Sequence, residues 1–81
     1  MNHFEKFLKR QHLKMQLRII GAVDQFLNGR WDDLDLKPLS GKRNTYRCRI
    51  GDIRIIFTKN EPGSWIVVDA DFRDKIYKRH S

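Results

Sequence analysis

Three arginines stand close together in the stretch Tyr46–Phe57, YRCRIGDIRIIF: Arg47, Arg49 and Arg54. A guanidinium group is a planar fork of donors that fits phosphate bidentately and stays charged at neutral pH. Arginines gathered on one surface therefore suit phosphate. Like charges placed together cost energy until an anion arrives.

The elements that must position them follow from periodicity. Phe4, Phe7 and Leu8 share one helical face over residues 2–10. A second helix is predicted from about Leu13 to Asn28, with Met15, Ile19, Ile20, Val23, Phe26 and Leu27 as its apolar set. Gly29 suits the residue after its end. The "RQH" between the helices holds no Gly or Pro, so a turn and one long bent helix both fit. Residues 30–43 read as an extended connector, because Pro38 and Gly41 forbid regular helix. Trp31, Leu34, Leu36 and Leu39 are expected to pin it to the core.

From Tyr46 the period becomes two. Tyr46, Cys48 and Ile50 alternate with Arg47 and Arg49, and Gly51-Asp52 suits a type II′ turn. "IRIIFTK" is the return strand, "NEPGS" a loop, "WIVVDADF" a further strand, and "RDKIYKRHS" closes the chain. Helices precede antiparallel strands, so the fold class is α+β, with a helical hairpin packed on a small sheet of three to four strands.

A two-residue turn sets Arg49 opposite Arg54 and Arg47 opposite Ile56. Tyr46, Cys48, Ile50, Ile53, Ile55 and Phe57 then face the core. With a four-residue loop, Thr58 faces Val67, Ile56 faces Asp69 and Arg54 faces Asp71. Ile66, Val68, Ala70 and Phe72 then point inward. A loop one residue different would bury both aspartates, which is expensive without partners. The open face thus carries Arg47, Arg49 and Arg54 beside Asp69 and Asp71, with Arg73 just past the strand. Two readings of it stand. One is a solvated face whose ion pairs contribute only about 0–1 kcal/mol each. The other is a phosphate-binding concavity.

The remaining composition narrows the partners. With 81 residues there is room for one domain, residues 1–81. The net charge of +7 points to a polyanion or an acidic protein. The lone Cys48 allows no internal disulfide, and no Cys/His spacing suggests zinc. No cofactor or metal is expected. No run is long enough to span a bilayer and the N-terminus lacks a signal-peptide core, so a cytoplasmic protein without membrane partners is expected.

The residues "LKPLSG", Tyr46 to Phe57 and "WIVVDADFRDKIYK" together resemble the RelE/ParE superfamily of bacterial toxins from type II toxin–antitoxin systems. The resemblance covers nearly the whole chain. It implies a cognate antitoxin as partner and, for RelE-like members, ribosome-dependent cleavage of mRNA without metal. ParE-like members instead inhibit DNA gyrase by protein contact. Carried onto this chain, the RelE pattern places the active face at Arg47, Arg49, Arg54, Arg73 and Tyr77. Arg54 and Arg73 are then expected to hold the phosphate, and Tyr77 to stack on a base or move a proton. The chain departs from the pattern twice. Arginines stand at Arg47 and Arg49 where the best-studied RelE toxin has lysines. Arginine cannot serve as a base, and a catalytically degenerate member is therefore a third reading. The family also usually opens with a strand before the first helix. Its absence would leave a sheet edge for an antitoxin segment to cover.

Other residues carry milder expectations. His80 titrates in the useful range as a residue type, but its terminal position reads as surface, as do His3 and His12. Trp31 and Trp65 are expected to pack rather than stack on bases. Lys6, Lys9, Arg10, Lys14 and Arg18 form a basic stripe along the helices that reads as a solvated face or, on a ribosome, as a contact to rRNA phosphates. Cys48 should be buried and no nucleophile.

Overall fold

The fold was analysed in a computed structural model that describes residues 1–80. Two helices come first, α1 (His3–Arg10) and α2 (Leu13–Leu27). They are separate helices because each has its own cap. The Asn2 side chain accepts from the Glu5 N–H at 2.8 Å, and His12 Nδ1 accepts from the Met15 N–H at 3.3 Å. At its end, α2 closes in a Schellman arrangement. Gly29, at φ +75°, donates to the Phe26 carbonyl, and Arg30 donates to that of Gln25.

Four strands follow: β1 (Asp35–Pro38), β2 (Thr45–Ile50), β3 (Ile53–Lys59) and β4 (Trp65–Phe72). They form an antiparallel meander in the order β1-β2-β3-β4. The connector thus contains a strand: Asp35, Leu36, Lys37 and Pro38 pair with Arg49, Cys48, Arg47 and Tyr46. Proline is tolerated there because β1 lies at the edge of the sheet.

The β2–β3 register is the expected one, from Ile50 opposite Ile53 to Arg47 opposite Ile56. Gly51 has φ +57° while Asp52 does not have a positive φ, as a type II′ turn requires. The β3–β4 pairing agrees only in part. Arg54 faces Asp71 and Ile56 faces Asp69, but Thr58 faces Ile66 rather than Val67. Two departures cancel. The loop between Lys59 and Trp65 is one residue longer than expected, and a bulge between Ile56 and Phe57 absorbs the extra residue. Asp69 and Asp71 therefore keep their side of the sheet. Beyond the bulge the alternation is reversed, so Val67 and Trp65 pack on the core while Ile66 and Val68 are exposed.

The core lies between the helical pair and one sheet face. Phe26 of α2 stacks on Phe57 at 3.8 Å and on Trp31 at 4.6 Å, with Trp65 edge-on. Trp31 Nε1 donates to the Phe26 carbonyl at 2.8 Å, so both tryptophans are packing residues. Ala22 replaces Ile20 and Leu27 in the buried set of α2. Leu13, Leu17, Ile20 and Leu27 instead form an exposed apolar stripe along the helix.

The other face of the sheet is not open. A third helix, α3 (Arg73–Arg79), turns back across it. Ile76, fully buried, packs against Ile56 and Leu39 in a second small core. Arg54, Asp69 and Asp71 are also buried on this face. Among the described residues, no helix is long and apolar enough to cross a membrane.

Candidate functional site

Covering the polar face with α3 sorts its charged residues into three groups. The first is structural. Arg54 is 7% exposed, and its Nη1 donates to the carbonyls of Gly51 at 2.8 Å and Ile53 at 3.1 Å. The expected phosphate ligand thus braces the β2–β3 turn, and it does not line the cleft described below. Burial on this face gives Nη1 its two carbonyl partners but leaves the Arg54 Nε buried without one.

The second group is an ion-pair cluster joining three elements. Arg79 Nε donates to Asp69 Oδ2 at 3.0 Å, and its Nη2 donates to Asp69 Oδ1 at 3.1 Å and Asp71 Oδ2 at 3.0 Å. His80 Nε2 lies 2.7 Å from Asp69 Oδ2. From α1, His3 Nε2 lies 2.9 Å from Arg79 Nη2 and 3.1 Å from Asp71 Oδ2. That nitrogen serves one neighbour at a time: bare, it accepts from the arginine, and protonated, it donates to the carboxylate. Burial opposes ionisation of Asp69, but hydrogen bonds from Arg79 and His80 outweigh it and hold the carboxyl below its ordinary range. Asp71 is likewise held low, because the Phe72 N–H, Arg79 and His3 overcome its burial. Donating hydrogen bonds to Asp69 in turn raises the pKa of Arg79.

Asp69 and Asp71 therefore pair with Arg79 and, among the described residues, form no ion pair with Arg54, opposite Asp71 in the sheet, or with Arg47 and Arg49. Asp35, on the edge strand, sits closest to those two, 3.8 Å from Arg47 Nη1 and 3.9 Å from Arg49 Nε. His3 and His80, read from sequence as surface residues, belong to the cluster. Arg79 carries no local sequence signal, being one of 17 Lys and Arg residues. The signal that was present is Ile56. A large apolar residue in the middle of a polar face needs a cover, and Ile76 supplies it.

The third group lines a cleft of about 440 Å³ between β1, β2 and α3. Arg47, Tyr77 and His80 meet there with Lys37 and Leu39. The Arg47 side chain is 12% exposed, and its Nη1 is buried with no hydrogen-bond partner. A buried donor without a partner is expensive and uncommon. Tyr77 is 40% exposed at the same cleft. His80 keeps one nitrogen against Asp69 and its Nδ1 outside that bond. In the neutral ring, a proton on Nε2 donating to the carboxylate leaves the lone pair on Nδ1.

Of the five residues taken from the resemblance, the structure brings Arg47 and Tyr77 together. Arg49 is exposed and lines a separate groove beside α2. Arg73 is exposed at the start of α3, where its backbone N–H donates to the Asp52 carbonyl at 2.8 Å. Lys37 joins the cleft without having been singled out for it, and His80 joins it although its terminal position read as surface. Cys48 is buried, and burial, followed by the nearby Asp35, pushes its thiol up to about 11, so it is no nucleophile.

No protein-family profile matches the chain, and no curated protein is similar to it. Among solved structures it is similar to a chain of the RelB–RelE antitoxin–toxin complex from Methanococcus jannaschii. The two share 28% identity and a TM-score of 0.77, over 96% of this chain and 93% of the other. The similarity runs nearly end to end in both chains, and the chain has the RelE-like toxin fold.

Proposed function

We propose that the protein is the toxin of a toxin–antitoxin pair and cuts translated mRNA on the ribosome, without metal, through the Arg47–Tyr77–His80 cleft. The observation that carries this reading is the buried Arg47 Nη1. It has no hydrogen-bond partner in the protein and, unlike the similarly orphaned Arg54 Nε, lies where Tyr77 and a carboxylate-held imidazole also meet. A phosphate oxygen supplies the missing acceptor.

The chemistry needs nothing else. The ribose 2′-oxygen attacks the adjacent phosphorus, forming a 2′,3′-cyclic phosphate as the bond to the 5′-oxygen breaks. His80, held by Asp69, takes the 2′-hydroxyl proton. Arg47 and Lys37 stabilise the extra negative charge on phosphorus. Tyr77 stacks on a neighbouring base or delivers the proton to the leaving oxygen. Arg49 and Arg73 flank the site and bind the backbone farther along. His80 thereby fills the role of base that arginine at positions 47 and 49 leaves vacant.

Two surfaces suit the antitoxin. The exposed stripe Leu13, Leu17, Ile20 and Leu27, beside Lys14 and Arg18, fits an acidic amphipathic helix. The outer edge of β4 has no strand beside it among the described residues, and an extended antitoxin segment fits there by strand addition.

Inducing the protein while mapping mRNA 5′ ends and monitoring the DNA-damage response tests the proposal. Cuts phased with codons in translated mRNA are expected. DNA damage without cuts would instead identify a ParE-like gyrase inhibitor, and unaffected growth with folded protein would sink both readings.

A further inference from the structure

A second cavity, of about 600 Å³, lies between α1 and the β4–α3 junction. Lys6 and Arg10, one turn apart on α1, line it together with Lys75 of α3. These three cations form no ion pair among the described residues; the neighbouring salt bridges belong to His3 and Arg79. Asp71 also lines the cavity, but its charge is already answered by Arg79 at 3.0 Å and His3 at 3.1 Å. Phe72 is 40% exposed at the same place. Its ring is held edge-on by the buried Phe7, with centroids 5.4 Å apart. The pocket therefore offers a fixed aromatic ring and three unpaired cations.

We propose that this pocket is a second nucleotide subsite, which takes a backbone phosphate on Lys6, Arg10 and Lys75 and stacks a base on Phe72. The ligand class is single-stranded RNA. Cations alone would equally suit an acidic protein segment, but a supported, half-exposed ring beside them matches a base and its phosphate. Continuity favours the same ligand. Asp71 lines this pocket, His80 lines the catalytic cleft, and Arg79 bridges Asp71 to Asp69, which holds His80. The two sites thus flank one ion-pair cluster, and a strand leaving the cleft reaches the pocket by crossing α3. The inference rests on the RNA reading of the cleft, and the experiment separates the two.

The experiment measures binding of labelled oligodeoxynucleotides, which lack the reactive 2′-hydroxyl, by fluorescence anisotropy across a salt series. One probe is a trinucleotide and the other a strand of about twelve nucleotides, long enough to span several contacts. The full-length protein carries Lys6→Gln with Lys75→Gln, both at exposed positions, and folding is checked by circular dichroism. The expected result is about a tenfold or greater loss of affinity for the longer strand, with trinucleotide affinity unchanged. Removing two phosphate contacts should also lower the salt slope by about 1.4, at roughly 0.7 per contact on single strands. Phe72→Leu should weaken the longer strand while leaving the salt slope intact.

The pocket assignment is overturned if the double variant binds the longer strand with unchanged affinity and slope. It is also overturned if the double variant loses only an acidic glutamate-rich peptide, which would mark a protein-binding surface. Arg47→Ala reads the cleft separately. If it leaves trinucleotide binding intact while the double variant still fails on the longer strand, the pocket stands and the cleft reading falls. If the wild type binds neither strand, both fall.

Discussion

The two faces of one four-stranded sheet are closed in different ways. On one face, α1 and α2 cover a continuous apolar core in which Phe26, Phe57 and Ile19 are almost completely buried. On the other, a seven-residue helix is held by one buried isoleucine and by ion pairs from Arg79 and His80. The first face contributes burial, which has no direction and tolerates little change in volume. The second contributes directed polar contacts, which leave side chains such as Arg47 and Tyr77 presented in a cleft. Stability is therefore expected to reside on the first face and activity on the second.

Substitutions on each face test that division. Phe26→Ala removes the ring shared by Phe57, Trp31 and Trp65 and should cost about 3–5 kcal/mol. For so small a domain that approaches the whole stability, and urea unfolding should find little folded protein. Ile76→Ala, which removes the single buried apolar anchor of α3, should cost about 2–4 kcal/mol. Its signature differs, since hydrogen exchange should rise first in α3 while the amides of β2 and β3 stay protected. Equal exposure of both regions would break the comparison.

Arg79→Ala leaves Asp69 and Asp71 buried with only histidines and the N–H groups of Ala70 and Phe72 as donors. The full penalty for orphaning a buried carboxylate is several kcal/mol, but Arg79 is 37% exposed, so solvent screening brings the expected loss to about 1–2 kcal/mol. Acid should act on the same cluster. Both carboxyls are held below their ordinary value of 3.8. Their contribution is therefore present above that pH and is lost as pH falls through their lower folded values. Thermal unfolding from pH 7 to 2 should show this fall, and in Arg79→Ala the fall should be smaller. An identical acid profile in the two proteins would mean that the cluster does not hold α3.

The two faces also differed in how far the sequence revealed them. The β2–β3 hairpin was readable in full because Gly51-Asp52 fixes the turn, and a fixed turn fixes every partner back to Thr45. The β3–β4 register was readable only for its functional half. The requirement that Asp69 and Asp71 escape the core set that half correctly, while the bulge that accomplishes it has no residue signature. α3 was missed because seven residues with one apolar anchor give no usable periodicity. With the helix went the burial of Arg54, the ion pairs of Arg79 and the placement of His80. Such contacts link residues up to 76 positions apart, and no local pattern encodes them. The connector read as extended chain without an assigned strand, since Asp35–Pro38 becomes a strand only by pairing with β2.

The central claim is that the polar face exists for chemistry, and Arg47→Ala tests it most directly. Thermal stability and codon-phased mRNA cleavage should be measured on the same variant. Removing the Arg47 side chain loses the packing of a largely buried stem and a 3.8 Å ion pair with Asp35 but also relieves a buried donor without a hydrogen bond, so stability should change by no more than about 1–2 kcal/mol. Cleavage should fall about 10²–10³-fold, the usual loss when a donor to transition-state charge is removed. A variant that folds as the wild type and still cuts mRNA at the wild-type rate would contradict the account.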